Sequence, residues 1–302
     1  MLPERSGPLT PAPGGGWRRD GAPWSPAAPF FAVVGDPVAH SLSPVMQGAA
    51  LRARGLPHDY RAIEVAAGGL VALKQTDHAP GLAGFNVTAP LKAEAAGLSD
   101  ELTPEAARVG AVNTVRVTGT RWQGHNTDLG GMRAALMQGW TAPGPPDHGT
   151  VLGTGGAARA AVLALLAWGT RRIAARARTV EGVRRFRGWL DGCGAPGAAA
   201  VGVDLLDGGG GPCPGETAVW LVSLPAGVPV AAWLPERVRA VPSLVLDLRY
   251  GAALPIEPRS PVPFLDGRSV LLAQGGQAFA WWFGEPVPWD AMRAALAQPH
   301  GT

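Results

Sequence analysis

The chain has 302 residues, is 46% hydrophobic and 16% charged, and carries a net charge of +3 with a pI near 9.3. That length and composition fit one large or two medium globular domains, and so small a net charge argues against an electrostatic nucleic-acid binder. Cys193 and Cys213 are too few for a disulfide framework, their spacing matches no metal site, and no apolar run approaches a membrane span or forms a leader. A soluble, cytoplasmic protein without a metal, acting on neither nucleic acid nor membrane, is expected.

Residues 1–28, rich in Pro, Gly, Ala and Ser with little periodicity, read as a disordered or loosely attached tail. The apolar run "FFAVVG" then reads as a buried strand ended by Gly35 and Pro37. Ser43-Pro44 opens a helix, with Ser43 as a natural N-cap and Pro44 at the first helical position. "HDYRAIEV" and "LAGFNVT" read as strands with helical stretches between them, and "AVNTVRVTGTRWQGHN" as a hairpin turning at Thr118-Gly119. A helix is expected from Leu129 to Gln138. After the linker "TAPGPPDHG" comes a second alternation: strand "TVLG", a helix ended by Gly169, strand "RRIAAR", helix Val180 to Leu190, then strands "AVWLVS" and "SLVLDL". The arginine-rich stretch from Arg171 to Trp189 has helix-like spacings and reads as a solvated helix face. Two helices close the chain. Such alternation predicts an α/β fold with a parallel sheet covered by helices on both faces.

The segment "VLGTGGAAR" sets Gly153, Gly155 and Ala158 at the spacing G-x-G-x-x-A between a strand and a helix. Gly153 permits the tight turn, Gly155 a close approach to a pyrophosphate, and Ala158 helix–strand packing, with the phosphates at the helix N-terminus. The next strand ends in "AARART", where an NAD site would carry an acid. Arg176 and Arg178 stand there instead, and cations suit the 2′-phosphate of NADP.

Asparagine occurs three times, at Asn86, Asn113 and Asn126, and lysine twice, at Lys74 and Lys92. In a sequence drifted to Ala, Gly, Pro and Arg, residues retained against that drift mark places where nothing else serves. Asn86 and Asn113 each suit a turn as well as a ligand, and Asp128 suits a helix start. Their joint retention with Lys92 favours a site for a polyhydroxylated ligand, with Lys92 as proton donor and Asp128 as its partner. Lys74 lies in no motif, and Lys74→Ala is expected to be nearly silent, the control for Lys92→Ala.

The strings "VVGDPVAHSLSPVMQ", "GFNVTAPLK", "VGAVNTV", "GHNTD", "VLGTGGAAR" and "AQGGQAFAWWFG" resemble, in order, those of the shikimate dehydrogenase family, over nearly all the chain after the tail. The resemblance implies two domains. A substrate-binding domain would span 29–127 and be completed by helices in 272–300, and a Rossmann NADP domain would span 128–271. It implies reversible NADPH-dependent reduction of 3-dehydroshikimate to shikimate, a step of aromatic amino acid biosynthesis, by a monomer or homodimer. On the same grounds Ser41 and Ser43, helped by Thr88 and Tyr250, would bind the substrate carboxylate. Asn86, Asn113, Asp128 and Gln274 would bind the ring hydroxyls, with Gln277 as a rival to Gln274. Lys92 would be catalytic and Asp128 would hold its ammonium. Gly153, Thr154, Gly155, Gly156, Ala157, Arg176 and Gly267 would form the NADP site.

Two departures stand out: "LVSLPAG" replaces the family's Asn-Ala-Thr-type segment, so Ser223 inherits no contact. The Asn-Arg-Thr clamp is matched to Ala175-Arg176-Ala177, which leaves one arginine, with Arg178 as a second candidate two residues on. Two other readings remain open, a quinate/shikimate dehydrogenase of the same family and a non-catalytic nucleotide-binding regulator.

Overall fold

The computed structural model describes residues 7–13, 15–75, 79–205, 218–225, 228, 243–250 and 263–298. Its chain divides into two compact units, Met1–Thr127 with Gly275–His300, and Asp128–Gln274.

The first unit contains strands β1 (Leu9–Pro11), β2 (Trp17–Arg19), β3 (Ala22–Trp24), β4 (Phe30–Gly35), β5 (Tyr60–Glu64), β6 (Leu82–Val87), β7 (Glu101–Leu102), β8 (Thr114–Thr118) and β9 (Arg121–His125). Helices α1 (Ser43–Ala53), α2 (Leu70–Lys74), α3 (Lys92–Leu98) and α4 (Pro104–Val109) connect them. The strands form one mixed sheet in the order β3-β2-β1-β5-β4-β6-β8-β9-β7. Central β4 runs parallel to β5 and β6 and is buried along its whole length, which explains its unbroken apolar run. One face of the sheet carries Phe30, Ala32, Val34, Ile63 and Phe85 into a core shared with Leu70, Leu73 and Leu91 of the helical segments.

The first residues depart from the expected disordered or loosely attached tail. Leu9 pairs with Ile63, so β1 extends the sheet beyond β5, and β2 and β3 complete a hairpin outside it. The anchor is Trp17, which is buried, meets Phe30 edge-on at 5.5 Å between ring centroids, and donates its indole N–H to the Pro80 carbonyl at 2.9 Å. Three-residue strands are too short to show a period, so composition alone misread them. Residues 7–13 and 15–28 therefore belong to the first unit.

The second unit contains α5 (Asp128–Gly139), β10 (His148–Leu152), α6 (Gly156–Trp168), β11 (Arg172–Ala177), α7 (Val180–Gly192), β12 (Gly202–Leu205), β13 (Ala218–Val222), β14 (Leu244–Asp247) and β15 (Phe264–Leu265). Its sheet has the order β12-β11-β10-β13-β14-β15, and every pairing is parallel. This is the doubly wound order of a dinucleotide-binding fold, with the strand order reversing beside β10. Helix α6 ends at Gly169, whose φ of 96° accepts the left-handed cap. Thr179 caps α7 by accepting the Gly182 N–H at 3.0 Å.

Helices α8 (Gly267–Phe283) and α9 (Trp289–Ala297) close the chain. Residues of α8 up to Gln274 belong to the second unit and those from Gly275 to the first, where α9 packs on α1. Cys193 is a buried residue at the end of α7, and Cys213 lies outside the described residues. Among the described residues no helix is long and apolar enough to cross a membrane, and no group of His, Cys, Asp and Glu could hold a metal ion.

Candidate functional site

In the first unit the candidate residues gather near the carboxyl ends of β4 and β6. Both strands run the same way, so the loops leaving them, and the helices α1 and α3 that follow, start from one edge of the sheet. Ser41 and Ser43 follow β4. Leu42 already has helical dihedrals (φ −84°, ψ −5°) and takes the cap position that the sequence suggested for Ser43. The Ser43 N–H donates to the Ser41 hydroxyl at 3.2 Å, so Ser41 does the capping work and the Ser43 side chain makes no cap bond.

Thr88 leaves β6 with its N–H bonded to the Val34 carbonyl at 2.9 Å, and its own carbonyl accepts the Leu91 N–H at 3.0 Å. That turn delivers Lys92 as the first residue of α3, half-buried, with its carbonyl accepting the Val112 N–H at 2.9 Å. Nearby Glu94 accepts the N–H groups of Gly68 and Leu70 at 2.8 Å each, which ties α3 to the start of α2.

Asn86 and Asn113 are buried and linked. Asn86 Nδ2 donates to the Asn113 carbonyl at 3.1 Å and to Thr114 Oγ1 at 3.0 Å. Asn113 Oδ1 accepts the Thr127 N–H at 2.8 Å and the Thr114 hydroxyl at 3.0 Å. Asn126 serves the fold, since its Nδ2 donates to the Ala111 carbonyl at 2.9 Å. Sequence reasoning missed Tyr60, whose hydroxyl donates to Asn86 Oδ1 at 2.7 Å. Its rarity was the available signal, for the chain has only two tyrosines.

Lys74, which lies in no motif, is a tether. Its ammonium donates to the Leu98 carbonyl at 2.5 Å and bridges to Asp100 at 3.0 Å, while Asp100 also accepts the Trp122 N–H at 2.7 Å. These bonds, the Trp122 N–H first, hold the Asp100 carboxyl below its usual pKa.

In the second unit the loop from Gly153 to Gly155 leads from β10 into α6. Gly153 has φ +116°, and a Cβ there would lie 2.4 Å from the Ser223 carbonyl oxygen, so only glycine fits. A Cβ on Gly155 would meet nothing within 4 Å, which leaves the face open to a ligand. With Thr154 in the loop and Gly156 and Ala157 opening α6, these residues fit a pyrophosphate held on a helix N-terminus.

The two arginines after the loop differ. Arg176 sits inside β11, 4% exposed, opposite Leu152 and Asp204 in the sheet register, and its guanidinium stands 3.5 Å from the Asp204 carboxylate. Arg178 follows the strand and is exposed. Gly182, in the first turn of α7, has Thr154 Oγ1 within 3.4 Å of its Cβ position, so the segment carrying Arg178 runs beside the phosphate loop.

Asp128 begins α5 and is buried. One turn on, a Cβ on Gly131 would lie 2.8 Å from that of Gln274, so α5 and α8 meet closely between these candidates. Gln277 falls in the first unit instead. Tyr250 and Gly267 are neighbours, the Cβ position of Gly267 lying 3.1 Å from the Tyr250 ring. The chain before Tyr250 is fixed by a pair the sequence did not reveal: buried Arg249 grips buried Asp247 through two bonds, of 2.9 and 2.6 Å.

Fold and site together define an α/β protein with a dinucleotide-binding unit and a second unit rich in short polar side chains. Residues 33–115 match the family model described as the shikimate dehydrogenase substrate binding domain. An NADP(+) shikimate dehydrogenase of an Anaeromyxobacter species is 38% identical over 274 residues, 89% of this chain and 96% of that protein. One from Microcystis aeruginosa is 34% identical, covering 88% and 96%. Among solved structures, Mycobacterium tuberculosis shikimate dehydrogenase has a TM-score of 0.69 at 30% identity, covering 88% of this chain and 99% of that one. The Thermus thermophilus shikimate 5-dehydrogenase, solved with NADP(H) and shikimate, has a TM-score of 0.69 at 28% identity, covering 88% and 97%. The chain belongs to the shikimate dehydrogenase family.

Proposed function

We propose that this protein is an NADP-dependent shikimate dehydrogenase, reducing 3-dehydroshikimate to shikimate reversibly in aromatic amino acid biosynthesis. The observation that carries the reading is the gathering of Ser41, Ser43, Asn86, Asn113 and Lys92 at one sheet edge, in a chain that matches such enzymes along 96% of their length. The paired serine hydroxyls and Thr88 suit the substrate carboxylate, and the asparagines suit ring hydroxyls. In the second unit, Asp128, Gln274 and Tyr250 are the proposed substrate-facing groups. The first unit is accordingly the substrate-binding domain and the second the NADP domain.

When bound, NADPH supplies the hydride. Lys92 stabilises the negative charge that grows on the substrate's carbonyl oxygen and delivers the proton there. Gly153 to Ala157 and Gly267 hold the cofactor. For the 2′-phosphate, Arg178 is the better candidate than Arg176, because it is exposed beside the phosphate loop while Arg176 is buried against Asp204. A monomer or homodimer in the cytoplasm is the proposed working form.

An initial-rate assay crossing shikimate and quinate with NADP and NAD tests this reading. Turnover of shikimate with NADP is expected. Faster turnover of quinate would move the protein to the quinate/shikimate dehydrogenases, and absence of turnover with every pair would leave a nucleotide-binding regulator.

A further inference from the structure

Tyr60 and Asn86 flank the central strand β4, opposite Phe31 and Val33, so both lie on the same face of the sheet. An amide side chain has two donor hydrogens on nitrogen and two acceptor positions on oxygen. The Asn113 carbonyl can only accept, so the amide nitrogen of Asn86 must face it, at 3.1 Å. Its second hydrogen goes to Thr114 Oγ1 at 3.0 Å. The oxygen is thereby turned toward Tyr60, whose buried hydroxyl donates to it at 2.7 Å. Burial raises the Tyr60 pKa well above 10.0, so the phenol remains a donor throughout the physiological range. A flipped amide would set oxygen against oxygen at Asn113 and nitrogen against the phenol. Both hydrogens of Asn86 are spent inside the protein, and one acceptor position on Oδ1 remains.

We infer that Tyr60 is a positioning residue that locks the Asn86 amide so that it presents a ligand with an acceptor only. Asn86 then reads a ligand group that donates, a hydroxyl hydrogen, and rejects an ether or carbonyl oxygen placed at the same point. The ligand's identity rests on the functional reading above, whereas the orientation of the amide does not.

The chain's three asparagines make a direct test practical. In wild-type protein labelled with ¹⁵N-asparagine, the Asn86 side-chain amide should exchange its hydrogens slowly. In Tyr60→Phe that protection should fall, KM for shikimate should rise about three- to ten-fold, the range for one neutral hydrogen bond, and kcat should stay within about two-fold. A folded Tyr60→Phe protein with lower thermal stability but wild-type KM would make Tyr60 a packing residue only and overturn the inference. So would a wild-type Asn86 amide that exchanges as fast as a solvated one, a result that needs no variant to fold. Wild-type protein that fails to oxidise shikimate would overturn the functional reading instead, and the exchange measurement would still decide the positioning.

Discussion

Two arginines two residues apart show how far single residues can be read. The sequence put cations where an NAD enzyme carries an acid, but strand register decides which cation is available. Arg176 is buried beside Asp204 of the neighbouring strand, and Arg178 lies beyond the strand end and is exposed. Arg178→Ala should therefore raise KM for NADP by roughly one to two orders of magnitude, the range for a lost charge-assisted bond, with NAD kinetics barely altered. Arg176→Ala should lower thermal stability and keep the preference for NADP. Steady-state kinetics with both cofactors would expose the reverse outcome, loss of preference in Arg176→Ala alone. The serines separate in the same way. Both alanine variants should raise KM for shikimate, but Ser41→Ala should also melt lower, since its hydroxyl accepts the Ser43 N–H at the start of α1.

At the scale of elements, most strands and helices were legible from apolar runs, or for α7 from helix-like spacing, bounded by Gly, Pro or a capping Thr. β4, β6, α6, α7 and α8 belong to this group. The hairpin of β2 and β3 was not read, although its turn carried a signal. Asp20 (φ 51°) and Gly21 (φ 80°) form the left-handed pair that an Asp-Gly dipeptide favours between two strands. What hid it was strand length and a proline in β3, not the turn chemistry. The Lys74 tether was invisible for another reason: Lys74 and Asp100 become meaningful only once the fold brings them together, whereas Asp247 and Arg249 lie two residues apart and only their burial was hidden. Breaking a buried pair from one side leaves a charge uncompensated, so Asp247→Ala should cost about 3–5 kcal/mol by urea denaturation. Lys74→Ala should lower the melting temperature while leaving kcat unchanged. The phosphate loop gives a sharper case, since Gly153→Ala meets both a positive φ and the Ser223 carbonyl. It should abolish NADP binding measured by fluorescence titration, and near-normal binding would contradict the assigned loop.

For the whole molecule, stability should follow two histidines, half-buried His125 in one unit and buried His148 in the other. Burial lowers the pKa of His125, with Glu105 opposing, and burial together with Arg172 and Arg176 lowers that of His148. Each binds a proton less readily when folded than when unfolded. Their contribution is present above the ordinary value of 6.5 and is lost as pH falls toward the folded values. Urea midpoints should drop between neutral pH and about pH 5.5, less steeply in His148→Gln, and an equal slope would remove His148 from the account. The sequence motifs pointed to two units and a reaction; the orientation of Asn86, the burial of Arg176 and the ordered first strands required the fold. The proposed chemistry turns on Lys92, so the decisive measurement is NADPH formation from shikimate by wild-type and Lys92→Ala proteins side by side. Turnover by the wild type, with kcat about 10²- to 10⁴-fold lower in the variant and NADP binding retained, is the predicted result. Wild-type protein that forms no NADPH, or a variant that turns over as fast as wild type, would contradict it.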